Sequence, residues 1–114
     1  MTTIDNLSVN AIRILSADAI QKANSGHPGL PLGCAPMAYE LWMNHMSHNP
    51  ADPKWENRDR FVLSKGHTAP GYYATLANKG FFPVEDLTTL RKVGSYLQGH
   101  PDMKHIPGVD MSSG

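Results

Sequence analysis

Apolar and polar positions first separate between Leu7 and Ala23. Val9, Ile12, Ala19, Ile20 and Ala23 fall on one side of a helical wheel, interrupted only by Ser16. Asn10, Arg13, Asp18, Gln21 and Lys22 fall on the other. This spacing predicts an amphipathic helix. Leu7, Ala11 and Ile14 add apolar positions to the polar side, so the helix is expected to be covered on more than one face. Asn24, Ser25 and Gly26 stop it.

Residues 25–33 are rich in Gly and Pro and predict a loop. Pro36 suits the start of a second helix, where a missing N–H is harmless, and that helix carries Met37, Leu41, Trp42 and Met46. Asn49-Pro50 and Asp52-Pro53 are turn dipeptides. Phe61, Val62 and Leu63 follow charged residues as a short apolar run and predict a buried strand. A helical stretch runs from Thr68 to Asn78, Gly80 stops it, and Pro83 opens a short helix through Leu87 and Leu90. From Gly99 to Gly114 the chain reads as loop. Helices around one strand predict an α/β layer fold, mostly helices and loops. A lone strand cannot satisfy its own hydrogen bonds, so its sheet partners are expected beyond Gly114.

Composition narrows the classes. With 114 residues the chain is one modest domain. Ten basic and ten acidic residues give no electrostatic footprint for nucleic acid. No apolar stretch approaches a membrane span, and Met1 to Asn6 lacks a basic start followed by an apolar run, so neither membrane nor secretory signal is expected. Cys34 is the sole cysteine, which fits a reducing, cytoplasmic setting. It reads as a small buried hydrophobe rather than a nucleophile, because no basic group adjoins it.

Three of the six histidines share a local context: Gly26-His27-Pro28-Gly29, Gly66-His67 and Gly99-His100-Pro101. Each sits on an expected loop, and His67 falls between strand and helix, where open α/β sheets bind ligands. Neighbouring glycines let backbone approach a ligand, and a helix starting after His67 favours an anion such as phosphate. Imidazoles in such a pocket donate to phosphate oxygens, hold hydroxyls or relay protons. The competing readings are three unrelated loop histidines, or a zinc centre with an open fourth position. Their long separations argue against zinc. His45 and His48 have a better metal spacing but no evident third partner, and read as a solvated helix end. Tyr72 and Tyr73 are expected to pack a helix on the sheet, and Trp42 and nearby methionines to be core or interface.

The segments Ser25-Gly26-His27-Pro28-Gly29, Asp59 through His67 and Gly99-His100-Pro101 together resemble transketolase, in the family's order and at similar spacing. The resemblance covers nearly the whole chain and implies that residues 1–114 are part of the N-terminal, diphosphate-binding, parallel-sheet domain. It implies thiamine diphosphate as cofactor and transfer of a two-carbon ketol unit from a ketose phosphate to an aldose phosphate, in the pentose phosphate pathway. It places His27 near the reactive thiazolium carbon and the sugar, and His67 at the diphosphate. It sets His100 on a substrate hydroxyl and Gly114 at the start of a loop whose backbone meets the cofactor. The family's Gly-Asp-Gly and Asn metal motif, its activating glutamate and its C-terminal phosphate-binding arginines are not among these residues. Mg2+ or Ca2+ is therefore expected only in a complete, homodimeric enzyme, and this piece alone is expected to be inactive. A fragment, one subunit of a split enzyme with a C-terminal partner, and a genuine short protein all remain open. So do a dihydroxyacetone synthase or deoxyxylulose-phosphate synthase relative, and a non-catalytic assembly module that pairs through the surface around Leu41 and Trp42.

Overall fold

A computed structural model describes residues 2–113. Three α-helices carry the fold: α1 (Thr3–Ala23), α2 (Gly29–Glu40) and α3 (Ala69–Asn78). One turn of π-helix, Leu41–His45, extends α2, and 3-10 turns lie at Gly66–Thr68 and Val84–Thr89. All three α-helices pack on one another.

Helix α1 begins in a capping box. The Thr2 hydroxyl accepts the Asp5 N–H at 3.1 Å, and Asp5 accepts the Thr2 N–H at 3.0 Å. Asn24, in the left-handed region at φ 51°, ends it as expected. Val9, Ile12 and Ala19 are buried, and Ser16 is tolerated among them because its hydroxyl donates to the Ile12 carbonyl at 2.7 Å. The expectation of a second covered face is not met here: Leu7 is 64% and Ile14 60% exposed.

Helix α2 corrects the sequence reading. It starts at Gly29, seven residues before Pro36, and takes in most of the segment expected to be loop. Pro31 stands in its first turn, where no N–H is needed. Pro36 lies inside the helix and deprives the Leu32 carbonyl of its donor. The Arg13 Nε of α1 supplies the replacement, donating to that carbonyl at 3.1 Å. The π turn closes with the Met46 N–H donating to Leu41 O at 2.9 Å.

Residues 61–63 also differ from expectation. Among the described residues there is no β-strand; this segment runs without a ladder, because no neighbouring strand is at hand to pair with it. The Phe61 N–H is taken instead by the Asp110 carboxylate at 2.9 Å. Val62 is 52% exposed. Beside it an apolar groove of about 400 Å³ opens, lined by Cys34 and Ala38 of α2, Leu41 of the π turn and Leu63. Cys34 is thus half-buried rather than enclosed.

The core centres on α3, where residues 69–77 are all buried. Tyr73 and Leu76 are fully enclosed, and burial of one such side chain contributes about 1.5–3 kcal/mol. Tyr72 packs on Phe61 with ring centroids 4.9 Å apart, in place of the expected sheet contact. Trp42, 2% exposed, sits among Phe61, Tyr72, Phe81 and His48. It is core, not surface. Met37 and Met43 are exposed. His48 is no solvated helix end: its ring meets Trp42 at 5.1 Å and stacks on Phe81 at 5.9 Å. His45 is exposed beside Glu40, 3.3 Å away.

Candidate functional site

A cavity of about 390 Å³ opens where the end of α1, the start of α3 and the loop after residue 89 converge. His27, His67 and His100 all line it. Each reaches the cavity by a different local device.

His27 follows the left-handed Asn24 and Gly26, whose φ of 135° excludes most side chains. A Cβ on Gly26 would also come within 3.0 Å of Ile20 Cγ1. Gly26 therefore turns the chain tightly off α1 and delivers His27 to the cavity rim. His67 lies in the 3-10 turn that leads into α3. Pro70, at the start of α3, has no N–H, which removes one of the free donors that the helix start would offer an anion. The His27 and His67 rings meet edge to face, with centroids 5.1 Å apart and planes at 73°.

His100 is carried by a compact loop. The Arg91 N–H donates to Leu97 O at 2.8 Å, and the Gln98 amide nitrogen donates to the carbonyls of Lys92 and Ser95 at 3.0 and 2.7 Å. From α3, the Tyr73 hydroxyl donates to Gln98 O at 2.6 Å. Arg91 holds a left-handed φ of 63°, uncommon for a residue with a side chain, and the bond to Leu97 fastens it there.

Arg91 is the site residue that sequence reasoning missed. Its guanidinium lies over Gly99: a Cβ there would come within 3.0 Å of Nη1 and 3.1 Å of Cζ. The bare Gly99 thus lets the guanidinium lie close over the backbone that carries His100. The signal available was an arginine eight positions before a Gly-His pair, which has no meaning until the loop closes.

The lining holds Arg91 and three imidazoles and no carboxylate. Such a set suits an anion bearing several oxygens, with histidines free to donate or accept. Among the described residues no group of three or more His, Cys, Asp or Glu stands close enough together to hold a metal ion. Gly114, the fourth sequence-derived candidate, lies outside the described residues.

The family model "Transketolase, thiamine diphosphate binding domain" matches residues 4–114. The chain belongs to the transketolase family. Curated relatives include the transketolase of Bacillus subtilis, 54% identical over 115 residues, and the chloroplastic transketolase of Spinacia oleracea, 52% identical over 118. The alignments cover 100% and 99% of this chain but 17% and 16% of those proteins. Among solved structures, transketolase from Pichia stipitis in complex with sedoheptulose-7-phosphate superposes with a TM-score of 0.95 at 45% identity, covering 99% of this chain and 17% of that one. Transketolase from Leishmania mexicana gives 0.93 at 43% identity, covering 100% and 17%. The chain, helical and without a strand among the described residues, therefore matches a region of a transketolase, and the α/β reading holds for the domain to which it corresponds. A lining with the Arg91 guanidinium, three imidazoles and no carboxylate fits the diphosphate of the cofactor that gives this domain its name.

Proposed function

We propose that this chain furnishes one wall of the cofactor and substrate site of a transketolase, in which a two-carbon ketol unit passes from a ketose phosphate to an aldose phosphate. The observation that carries the reading is the convergence of His27, His67, His100 and Arg91 on one cavity without an opposing carboxylate. Thiamine diphosphate, when bound, supplies a carbon nucleophile and an electron sink. The chain's own residues bind, orient and move protons. His67, at the head of α3, donates to a diphosphate oxygen. His27, against the His67 ring, stands nearest the reacting carbon and takes up or returns a hydroxyl proton there. His100, on its clasped loop, holds a substrate hydroxyl. Mg2+ or Ca2+ ligands come from residues outside this chain, as does the remainder of the enzyme, whether one polypeptide or a separate C-terminal subunit. The complete protein works as a homodimer in the cytoplasm. The complex of the Pichia stipitis relative with sedoheptulose-7-phosphate supports sugar phosphates as substrates. No helix among the described residues is long and apolar enough to cross a membrane.

The test is a transfer assay on the enzyme assembled from this chain and the segment its relatives carry, with a ketose phosphate donor and an aldose phosphate acceptor. Product formation that requires added thiamine diphosphate supports the reading. Absence of transfer from a folded, cofactor-loaded enzyme contradicts it.

A further inference from the structure

We infer that Tyr73 is a positioning residue, whose hydroxyl sets His100 in the cavity by holding the backbone carbonyl of Gln98. The inference rests on the assignment of His100 to a substrate hydroxyl. Tyr73 is fully buried one turn into α3, the helix that His67 leads into. Its hydroxyl spans to the loop and donates to Gln98 O at 2.6 Å, two residues before His100. His100 is itself exposed, and no side-chain hydrogen bond holds its ring among the described residues. What fixes it is the backbone that carries it.

That backbone is closed on itself by Arg91 N–H to Leu97 O and by the Gln98 side chain to Lys92 and Ser95. A loop closed this way is internally rigid but needs an external anchor to fix its attitude to the helices. The buried Leu97 side chain gives a non-directional hold. The Tyr73 bond gives a directional one, from a buried hydroxyl to the partly exposed loop, and its loss removes the loop's oriented tie to α3. Burial, together with the charge of Asp102, pushes the Tyr73 phenol well up, so it remains a donor at every working pH. A single hydroxyl thus couples the helix that follows His67 to the loop bearing His100.

The experiment compares Tyr73→Phe with Thr75→Val in the complete enzyme. Thr75 is a buried hydroxyl on the same helix, but it bonds only to Gly71 O at 2.8 Å, within α3. Two readouts are taken: amide hydrogen exchange across residues 91–101, which needs no activity, and the split between KM for the ketose phosphate and affinity for thiamine diphosphate. Tyr73→Phe is expected to speed exchange in that loop by about tenfold and to raise KM by about tenfold, the equivalent of one hydrogen bond, with cofactor affinity held within about twofold. Thr75→Val is expected to leave both loop exchange and KM near their original values. Unchanged exchange and KM in Tyr73→Phe overturn the inference, and so does an equal response to Thr75→Val. If the unsubstituted enzyme transfers nothing, the proposed function has failed, and loop exchange still decides the role of Tyr73. Should Tyr73→Phe not fold, Gln98→Ala, an exposed substitution that opens the same loop, must raise KM with unchanged cofactor affinity or the inference falls.

Discussion

Replacing Asp110 by Ala removes the acceptor at the centre of a buried junction. The Asp110 side chain is 6% exposed and accepts Arg58 Nε at 2.8 Å and the Phe61 N–H at 2.9 Å. Arg58 is 14% exposed and also donates to Trp55 O at 2.9 Å, so one of its contacts survives. The substitution leaves a partly buried guanidinium without its counter-charge and a backbone N–H without an acceptor. Breaking a buried pair from one side costs about 3–5 kcal/mol, and an orphaned N–H about 1–3 kcal/mol. Because Arg58 keeps the Trp55 bond and some solvent, about 3–4 kcal/mol is expected in total, a large part of a small domain's stability of about 5–15 kcal/mol. Asp110→Asn keeps an acceptor for one partner and is expected to cost about 1–2 kcal/mol. Urea unfolding followed by the fluorescence of Trp42 and Trp55 measures both, and a double-mutant cycle with Arg58→Ala isolates the pair. A loss below about 1 kcal/mol for Asp110→Ala, or no coupling in the cycle, would refute the argument that this junction ties residues 58–61 to the C-terminal loop.

Other outcomes follow from the same geometry. Burial against Trp42 and Phe81, with Lys79 adding to it, holds the His48 pKa below its ordinary value. The unfolded chain therefore binds that proton first as pH falls, so the His48 contribution is lost on going from about pH 6.5 downward; urea midpoints between pH 5 and 8 should fall on acidification in the parent and less in His48→Phe. Asp5 titrates at about 2 because the Tyr39 hydroxyl donates to it at 2.5 Å and the Thr2 cap adds two donors. Its contribution is present above the unfolded carboxylate value and lost as pH falls toward 2, and Tyr39→Phe should raise its NMR-measured pKa. The isolated 114-residue chain exposes Leu7, Ile14, Met37 and Val62 and leaves residues 61–63 unpaired, so sedimentation should show self-association, and ketol transfer should not exceed a no-protein blank.

Parts of this fold were legible because they depend on local pattern. Helix α1 announced itself by its stripe and its Asn24 stop, and α3 by its apolar run. Gly-flanked histidines pointed to a site, and Gly26 is needed by a turn that is itself local. The start of α2 was hidden because Pro36 has the chemistry of a helix opener; only the distant Arg13 makes its interior placement tolerable. Phe61-Val62-Leu63 has the composition of a strand, yet a strand is a property of pairs, and no partner lies within these residues. Arg91 could not be seen, since a closed loop and a bare Gly99 bring it to the cavity.

The central claim is that His67 and His100 share one cavity but serve different partners. Thiamine diphosphate titration and steady-state kinetics on His67→Ala and His100→Ala of the complete enzyme test it most directly. A lost hydrogen bond to a charged group costs about 1.5–3 kcal/mol, so His67→Ala should weaken cofactor binding by about ten- to a hundredfold. His100→Ala should bind the cofactor normally and use the ketose phosphate poorly. Normal cofactor binding by His67→Ala alongside weakened binding by His100→Ala would contradict the account.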